Sequence, residues 1–231
     1  MIKGIIFDMG GTIISTNNMN LRRASDSVHT YLVDKSITSE QFYFFTKKIV
    51  DDILKNRTNI EISFMRLIYL YKMFYGLFSI NDTELELILT YSLFDYALEE
   101  KVVELLERLK DEKIKMIILS NSLFSEAALR DVLRKFDVEK YFDKVISSAD
   151  SLVRKPYDLF FLYGVKEIGY ELDNIVYIGN DYHYDCLGCK NIGLKVIYYN
   201  NKNKEYKPFK GMKEIKNYNE LLREEKLCEI Y

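Results

Sequence analysis

Between residues 97 and 200, amphipathic helices alternate with short apolar runs, and this alternation restricts the possible folds more than any other feature of the chain. Val102, Leu105, Leu106 and Leu109 recur at helical spacing within residues 99–111. A strand-like run, Lys115–Leu119, follows, then a helical pattern over 123–136 and a short strand at Lys144–Ser147. A further helix spans 157–170, a strand 174–178, a short helix 185–191 closed by Gly193, and a strand 195–199. Such an order predicts a doubly wound, Rossmann-like α/β core, a parallel sheet with helices on both faces. The opening run Ile2–Phe7 is nearly all apolar, as befits a strand buried on both faces. Its distance to the next strand is anomalous. A complete β-α-β unit needs about 30 residues, and the helix at 99–111 already supplies the crossover. Residues 16–96 are therefore surplus, and far too many for a loop.

The surplus reads as helices. Leu21, Val28 and Leu32 make one apolar stripe. Thr38 and Gln41 form a capping-box pattern ahead of Phe42, Phe45, Ile49 and Ile53. Phe64, Leu67, Ile68, Tyr71, Phe74 and Tyr75 form a third stripe, halted by Gly76, and Asn81 with Glu84 opens a fourth containing Leu85, Ile88 and Leu89. The expected organisation is a core domain from residues 1–15 and 97–231 with an inserted helical-bundle cap over 16–96. The insertion point lies above the carboxyl end of the first strand, where open α/β sheets bind ligands. A bundle there is a lid that can exclude water and select substrate.

Composition narrows the partners. Lys and Arg total 33 against 35 Asp and Glu, a net charge of -2, which excludes a strongly basic surface built for nucleic acid. The most apolar stretch, Phe64–Phe78, is interrupted by Arg66 and Lys72, so no membrane span is expected. Three cysteines, Cys186, Cys189 and Cys228, do not make a disulfide framework. Asp8 arrives too early for a signal peptide. The expectation is a soluble, cytoplasmic protein that acts on a small molecule, with neither nucleic acid nor membrane as partner.

Four loops, each at the carboxyl end of an expected strand, carry groups capable of chemistry. The first is Asp8-Met9-Gly10-Gly11-Thr12, where two glycines let backbone N–H groups turn toward an anion. The second holds Ser120 and Asn121, able to bind a phosphoryl oxygen or, equally, to cap the next helix. The third presents Lys155 before Pro156; its ammonium can neutralise phosphate, although most lysines are simply exposed. The fourth, Gly179-Asn180-Asp181-Tyr182-His183-Tyr184-Asp185, offers oxygen ligands of the kind Mg²⁺ prefers, with Asp185 as an ordinary first-turn acid on the plainer reading. His183 is a weaker proton-donor candidate. His29 and the Cys186–Cys189 pair read as packing.

In their order and placement these four loops resemble the haloacid dehalogenase-like hydrolase superfamily, with a helical cap inserted after the first motif. The resemblance implies Asp8 as a nucleophile that forms an aspartyl-phosphate, then hydrolysed. It implies a phosphate cradle of Gly10, Gly11, Thr12, Ser120, Asn121 and Lys155, with Lys155 offsetting charge on Asp8 and in the transition state. It also implies Mg²⁺ held by Asp8, the Gly10 carbonyl, Asn180, Asp181 and Asp185. Two positions depart from the family pattern. Where its phosphatases carry a second aspartate as general acid/base this chain has Gly10, and such catalysis is worth ~10²–10⁴-fold. Asn180 stands in place of the usual first acid of the fourth motif, with Asp181 directly after it. The leading expectation is a Mg²⁺-dependent phosphatase of a small phosphorylated metabolite. Carbon–halogen hydrolysis, which uses the same nucleophile without metal or second acid, is the alternative, and a weakly active or non-catalytic binding protein is the third. Lys155→Ala is expected to impair phosphoryl transfer with little loss of stability.

Overall fold

The computed structural model describes residues 1–56 and 58–230. In chain order the strands are β1 (Gly4–Phe7), β2 (Ile14–Asn17), β3 (Asp95–Leu98), β4 (Lys115–Ser120), β5 (Lys144–Ser147), β6 (Ile175–Gly179), β7 (Lys195–Tyr199) and β8 (Met212–Ile215). The helices are α1 (Leu21–His29), α2 (Ser39–Lys55), α3 (Phe64–Tyr75), α4 (Asp82–Leu93), α5 (Val102–Asp111), α6 (Glu126–Lys135), α7 (Ser148–Ser151), α8 (Asp158–Ile168), α9 (Leu187–Ile192) and α10 (Asn219–Leu222).

Six strands form one parallel sheet in the order β5-β4-β1-β6-β7-β8. Every residue of β1 and β6 is buried, which explains their unbroken apolar sequence. The pleat divides β1 between two layers. Ile5 and Phe7 pack with Leu105 of α5 and Leu129 and Val132 of α6, whereas Ile6 packs with Phe160 and Phe161 of α8 and with Cys189 of α9. Cys186 and Cys189 are buried free thiols within that second layer.

Helices α1–α4 occupy the surplus segment, and their ends follow the sequence signals. Both capping boxes form, Thr38 with Gln41 at α2 and Asn81 with Glu84 at α4. Helix α3 stops at Gly76, whose φ of 82° suits glycine. Helix α1 ends at His29, short of Leu32, which instead forms a β-bridge with Phe78. Two strand features went unread in the sequence. An antiparallel ribbon of β2 and β3, with register from Ile14↔Leu98 to Asn17↔Asp95, joins both ends of the helical segment to the sheet domain. At the sheet edge, β8 pairs with β7. These segments are only four residues long, too short to establish a period in the sequence.

The helical segment is seated on the sheet domain by specific contacts. The ring of Phe64 meets Phe124 edge-on at 5.0 Å, and the Phe64 N–H donates to the Leu123 carbonyl at 2.7 Å. Glu86 of α4 accepts from the backbone and hydroxyl of Ser125 at 2.7 and 2.6 Å. Ile60 bridges Val153, the Glu61 N–H donates to Leu152 O at 2.7 Å, and the Arg154 N–H donates to Asn59 O at 3.1 Å. Arg154 Nε donates to Glu61 Oε2 at 2.9 Å with both side chains buried. No helix among the described residues is long and apolar enough to cross a membrane.

Candidate active site

Asp8 continues β1 past its last apolar residue, its N–H donating to Ile178 O at 2.8 Å. By strand alternation its side chain shares the face of Ile6. The chain then winds tightly: the N–H groups of Ile13 and Ile14 both donate to Met9 O, at 2.9 and 3.0 Å, and the Gly11 N–H donates to Ile14 O at 2.7 Å. Gly11 has φ of 77°, and a Cβ there would collide with the Asn180 side chain. The left-handed backbone therefore calls for glycine, and the missing Cβ also lets the Asn180 side chain approach closely. Thr12 donates its hydroxyl to Asp8 Oδ2 at 3.2 Å.

The second and third loops are joined by one amide. Asn121 donates from Nδ2 to Lys155 O at 2.9 Å and accepts from the Lys155 N–H at Oδ1, 2.8 Å. Ser125 caps α6, which leaves Ser120 and Asn121 free of the capping duty that the sequence allowed them. Lys155 is not a surface lysine; it is 2% exposed. Its Nζ lies 2.6 Å from Asp8 Oδ1, 2.7 Å from Asp185 Oδ1 and 2.8 Å from the Tyr177 hydroxyl. Burial alone would depress the Lys155 pKa, but the charges of Asp185 and Asp8 outweigh it and raise the pKa above that of an ordinary lysine. Burial dominates at Asp8, raising its pKa to about 6 against the pull of Lys155, with the charge of Asp185 pushing the same way as burial.

The fourth loop is a π-turn over Tyr182–Cys186, in which the N–H groups of Asp185 and Cys186 both donate to Asp181 O, at 2.8 and 3.3 Å. The wide turn folds Asp185 back over Gly179, where any Cβ would strike its carboxyl group. Asp185 is 1% exposed, and both its oxygens are engaged. Oδ1 accepts from Lys155 and from Tyr177 (3.0 Å), and Oδ2 accepts from the Asp181 N–H at 2.9 Å. Asp185 is therefore not an ordinary first-turn acid. Asp181 accepts from the Tyr184 N–H at 2.8 Å, and His183 is exposed, against the Tyr184 ring. Sequence reasoning missed Tyr177. Burial, with the charges of Asp185 and Asp8 acting the same way, keeps its hydroxyl protonated and thus a donor. Its one trace in the sequence is a polar tip inside the otherwise apolar run Ile175-Val176-Tyr177-Ile178.

Asp8, Lys155, Asn180, Asp181 and Asp185 line a polar cleft of about 280 Å³. A second cavity, of about 250 Å³, runs beneath the helical segment and shares Gly10 and Asn121 with the cleft. Ser120 lines the second cavity. Among the described residues no three acidic, histidine or cysteine side chains converge tightly enough to hold an ion by themselves. The cleft still presents a donor set made only of oxygens, from Asp8, Asn180, Asp181 and the backbone at Gly10. That chemistry fits a hard cation which retains waters and binds through one or two carboxylates together with a ligand's phosphate.

Residues 5–199 match the haloacid dehalogenase-like hydrolase family. The chain is a member of that family. It is 25% identical over 195 residues to pyrophosphatase PpaX of Bacillus cereus, covering 84% of this chain and 81% of the relative. It is 22% identical over 205 residues to the glyceraldehyde 3-phosphate phosphatase of Methanocaldococcus jannaschii, covering 85% and 84%. Among solved structures it resembles a phosphatase of the same superfamily from Thermococcus onnurineus, at a TM-score of 0.66 and 21% identity over 95% of this chain and 96% of the other. It equally resembles a 2-haloacid dehalogenase from Pseudomonas syringae, at 0.66 and 18% over 96% and 97%. In this haloacid dehalogenase-like hydrolase the position two residues after Asp8 is open. A Cβ built on Gly10 has no atom within 4 Å, so the missing side chain is not enforced by crowding.

Proposed function

We propose that this haloacid dehalogenase-like hydrolase removes the phosphoryl group from small phosphorylated molecules, with Asp8 as nucleophile. The observation that carries the reading is the Lys155 ammonium held between Asp8 and Asp185 in a polar cleft at the carboxyl end of β1. A buried cation fixed there lets a carboxylate face a phosphate dianion and offsets the charge that builds up as the new bond forms. The two relatives named as acting on phosphorylated compounds point the same way.

In this reading an Asp8 oxygen attacks phosphorus, the bond to the leaving oxygen breaks, and water then hydrolyses the aspartyl-phosphate and frees Asp8. Ser120 donates its hydroxyl to a phosphoryl oxygen, whereas the Gly11 and Thr12 N–H groups, expected from the sequence to face the phosphate, are spent within their own loop on Ile14 O and Met9 O. Asn121 holds the Lys155 backbone rather than the phosphate, and Asp185 with Tyr177 orients the Lys155 ammonium. Mg²⁺, bound by Asp8, the Gly10 carbonyl and Asn180 or Asp181, would supply charge neutralisation between carboxylate and phosphate. Residues 16–96 act as the cap over a core of residues 1–15 and 97–231.

The test is turnover of p-nitrophenyl phosphate with Mg²⁺ and with EDTA, in wild type and Asp8→Asn. Metal-dependent release of phosphate, abolished by the substitution, is the expected result. One observation favours a second reading. Asp185 has no oxygen to spare and Gly10 offers no acid, conditions that suit displacement of a halide by Asp8. Turnover of 2-chloropropionate in EDTA with silence on phosphates would establish it, and silence on both would mark a binding protein.

A further inference from the structure

The second cavity states what the cleaved group looks like. Its walls are Met9 and Ile14 from the first loop and strand, Leu54, Leu93 and Phe94 from the helical segment, and Phe124 from the sheet domain, with Met19 also lining it. Among the described residues none of its lining side chains carries a charge. Of its five polar lining side chains three are committed elsewhere, and Thr16 and Ser120 add one hydroxyl each. The Tyr96 hydroxyl donates to Thr90 O at 3.1 Å, the Ser122 hydroxyl accepts from the Phe124 N–H at 3.0 Å, and the Asn121 amide is held on the Lys155 backbone. A second phosphoryl group placed there would meet no cation, and the hydroxyls of a sugar would meet few partners; both are penalised when removed from water. The volume, about 250 Å³, exceeds the roughly 150 Å³ that accommodates benzene in an apolar protein cavity.

Gly10 supplies an independent argument. It lines both the cleft and this cavity, so a side chain there would stand at the junction between phosphate and leaving group. Space for it exists, but no proton donor occupies it. A leaving oxygen that departs without a proton must be weakly basic.

We propose that the substrates are phosphate monoesters of an uncharged, largely apolar alcohol of low basicity, a phenol or an enol, and not pyrophosphate or sugar phosphates. The proposal rests on the phosphatase reading. Asp8 forms its bond to phosphorus while the phosphorus–oxygen bond to the leaving group breaks. The electron pair stays on that oxygen, and the phenolate or enolate takes a proton from water after release. Water then forms a bond to phosphorus as the aspartyl oxygen leaves, its proton passing to solvent, and inorganic phosphate departs.

The experiment compares kcat/KM in Mg²⁺ for acetyl phosphate, 1-naphthyl phosphate, pyrophosphate and glucose 6-phosphate, together with a series of substituted phenyl phosphates. Expected are a preference of at least 100-fold for 1-naphthyl phosphate over both pyrophosphate and the sugar phosphate, and a steep fall in rate as the phenol becomes more basic. Gly10→Asp should flatten that dependence. Leu54→Arg should shift the naphthyl-to-pyrophosphate ratio by tenfold or more toward pyrophosphate, a ratio independent of how much of the variant folds. Acetyl phosphate separates the two levels of the claim, because it fills almost none of the cavity and its leaving group, acetate, is weakly basic. Turnover of acetyl phosphate with no naphthyl preference, or with pyrophosphate favoured, overturns the substrate class and leaves the phosphatase standing. No turnover of any phosphate overturns both.

Discussion

The exposure of Lys155, 2%, reverses one expectation drawn from its place in the sequence. A lysine beside a proline reads as a solvated side chain, removable at little cost to stability. Here its removal leaves Asp8 and Asp185 buried without a counter-charge. Lys155→Met should destabilise the fold at pH 7 by about 3–5 kcal/mol, the usual effect of breaking a buried pair from one side. Urea unfolding of that variant, and of Lys155→Met with Asp185→Asn, measures it; the double variant should recover part of the loss. Asp8 yields a pH prediction. Its folded pKa of about 6 lies above the ordinary value of 3.8. Between those values the folded state keeps a proton that the unfolded chain has released, so this group's contribution to stability declines as pH rises and is fully lost above the folded pKa. The loss is about 3 kcal/mol. The stability gained by Asp8→Asn should therefore grow by about that much between pH 4 and 7.5 without metal, and a constant difference would refute the burial argument. Asp8, Lys155 and Asp185 were legible because each lies in a loop at the carboxyl end of an expected strand. Tyr177 was not, since the side a strand residue faces depends on register with neighbouring strands.

Elements set how closely these residues meet. The π-turn and Gly179 let Asp185 fold back, and Gly11 admits Asn180. Alanine at Gly11 faces a left-handed backbone penalty of about 1–2 kcal/mol as well as the collision. Gly11→Ala and Gly179→Ala should each lower the melting temperature and suppress turnover, while Gly10→Ala, with open space around its Cβ, should stay within about 0.5 kcal/mol of wild type. Differential scanning calorimetry on the three variants decides. The starts of α2 and α4 were well forecast, because a capping box is a local hydrogen-bond device that needs no tertiary partner. The ribbon of β2 and β3 and the edge strand β8 escaped notice because four-residue strands are too short to leave a periodic trace.

At the scale of the molecule, the division into core and cap can be tested by excision. Asn17 and Asp95 are register partners at the open end of the β2–β3 ribbon, so replacing residues 18–94 with Asn-Gly should close it as a two-residue hairpin. The sheet keeps all six strands, and the shortened protein should retain a cooperative thermal transition at lower temperature. A non-cooperative melt would mean that core and cap fold only as one. Glu61→Gln should also destabilise the full chain, since it leaves the buried Arg154 guanidinium without its carboxylate partner.

The strip Asn59–Glu61 is bonded to the main chain on the residues immediately before Lys155. Any outward swing of the helices must either snap those tethers or haul the ammonium's own backbone along. A swing that keeps the tethers would displace the central cation in the same movement that admits a ligand from solvent.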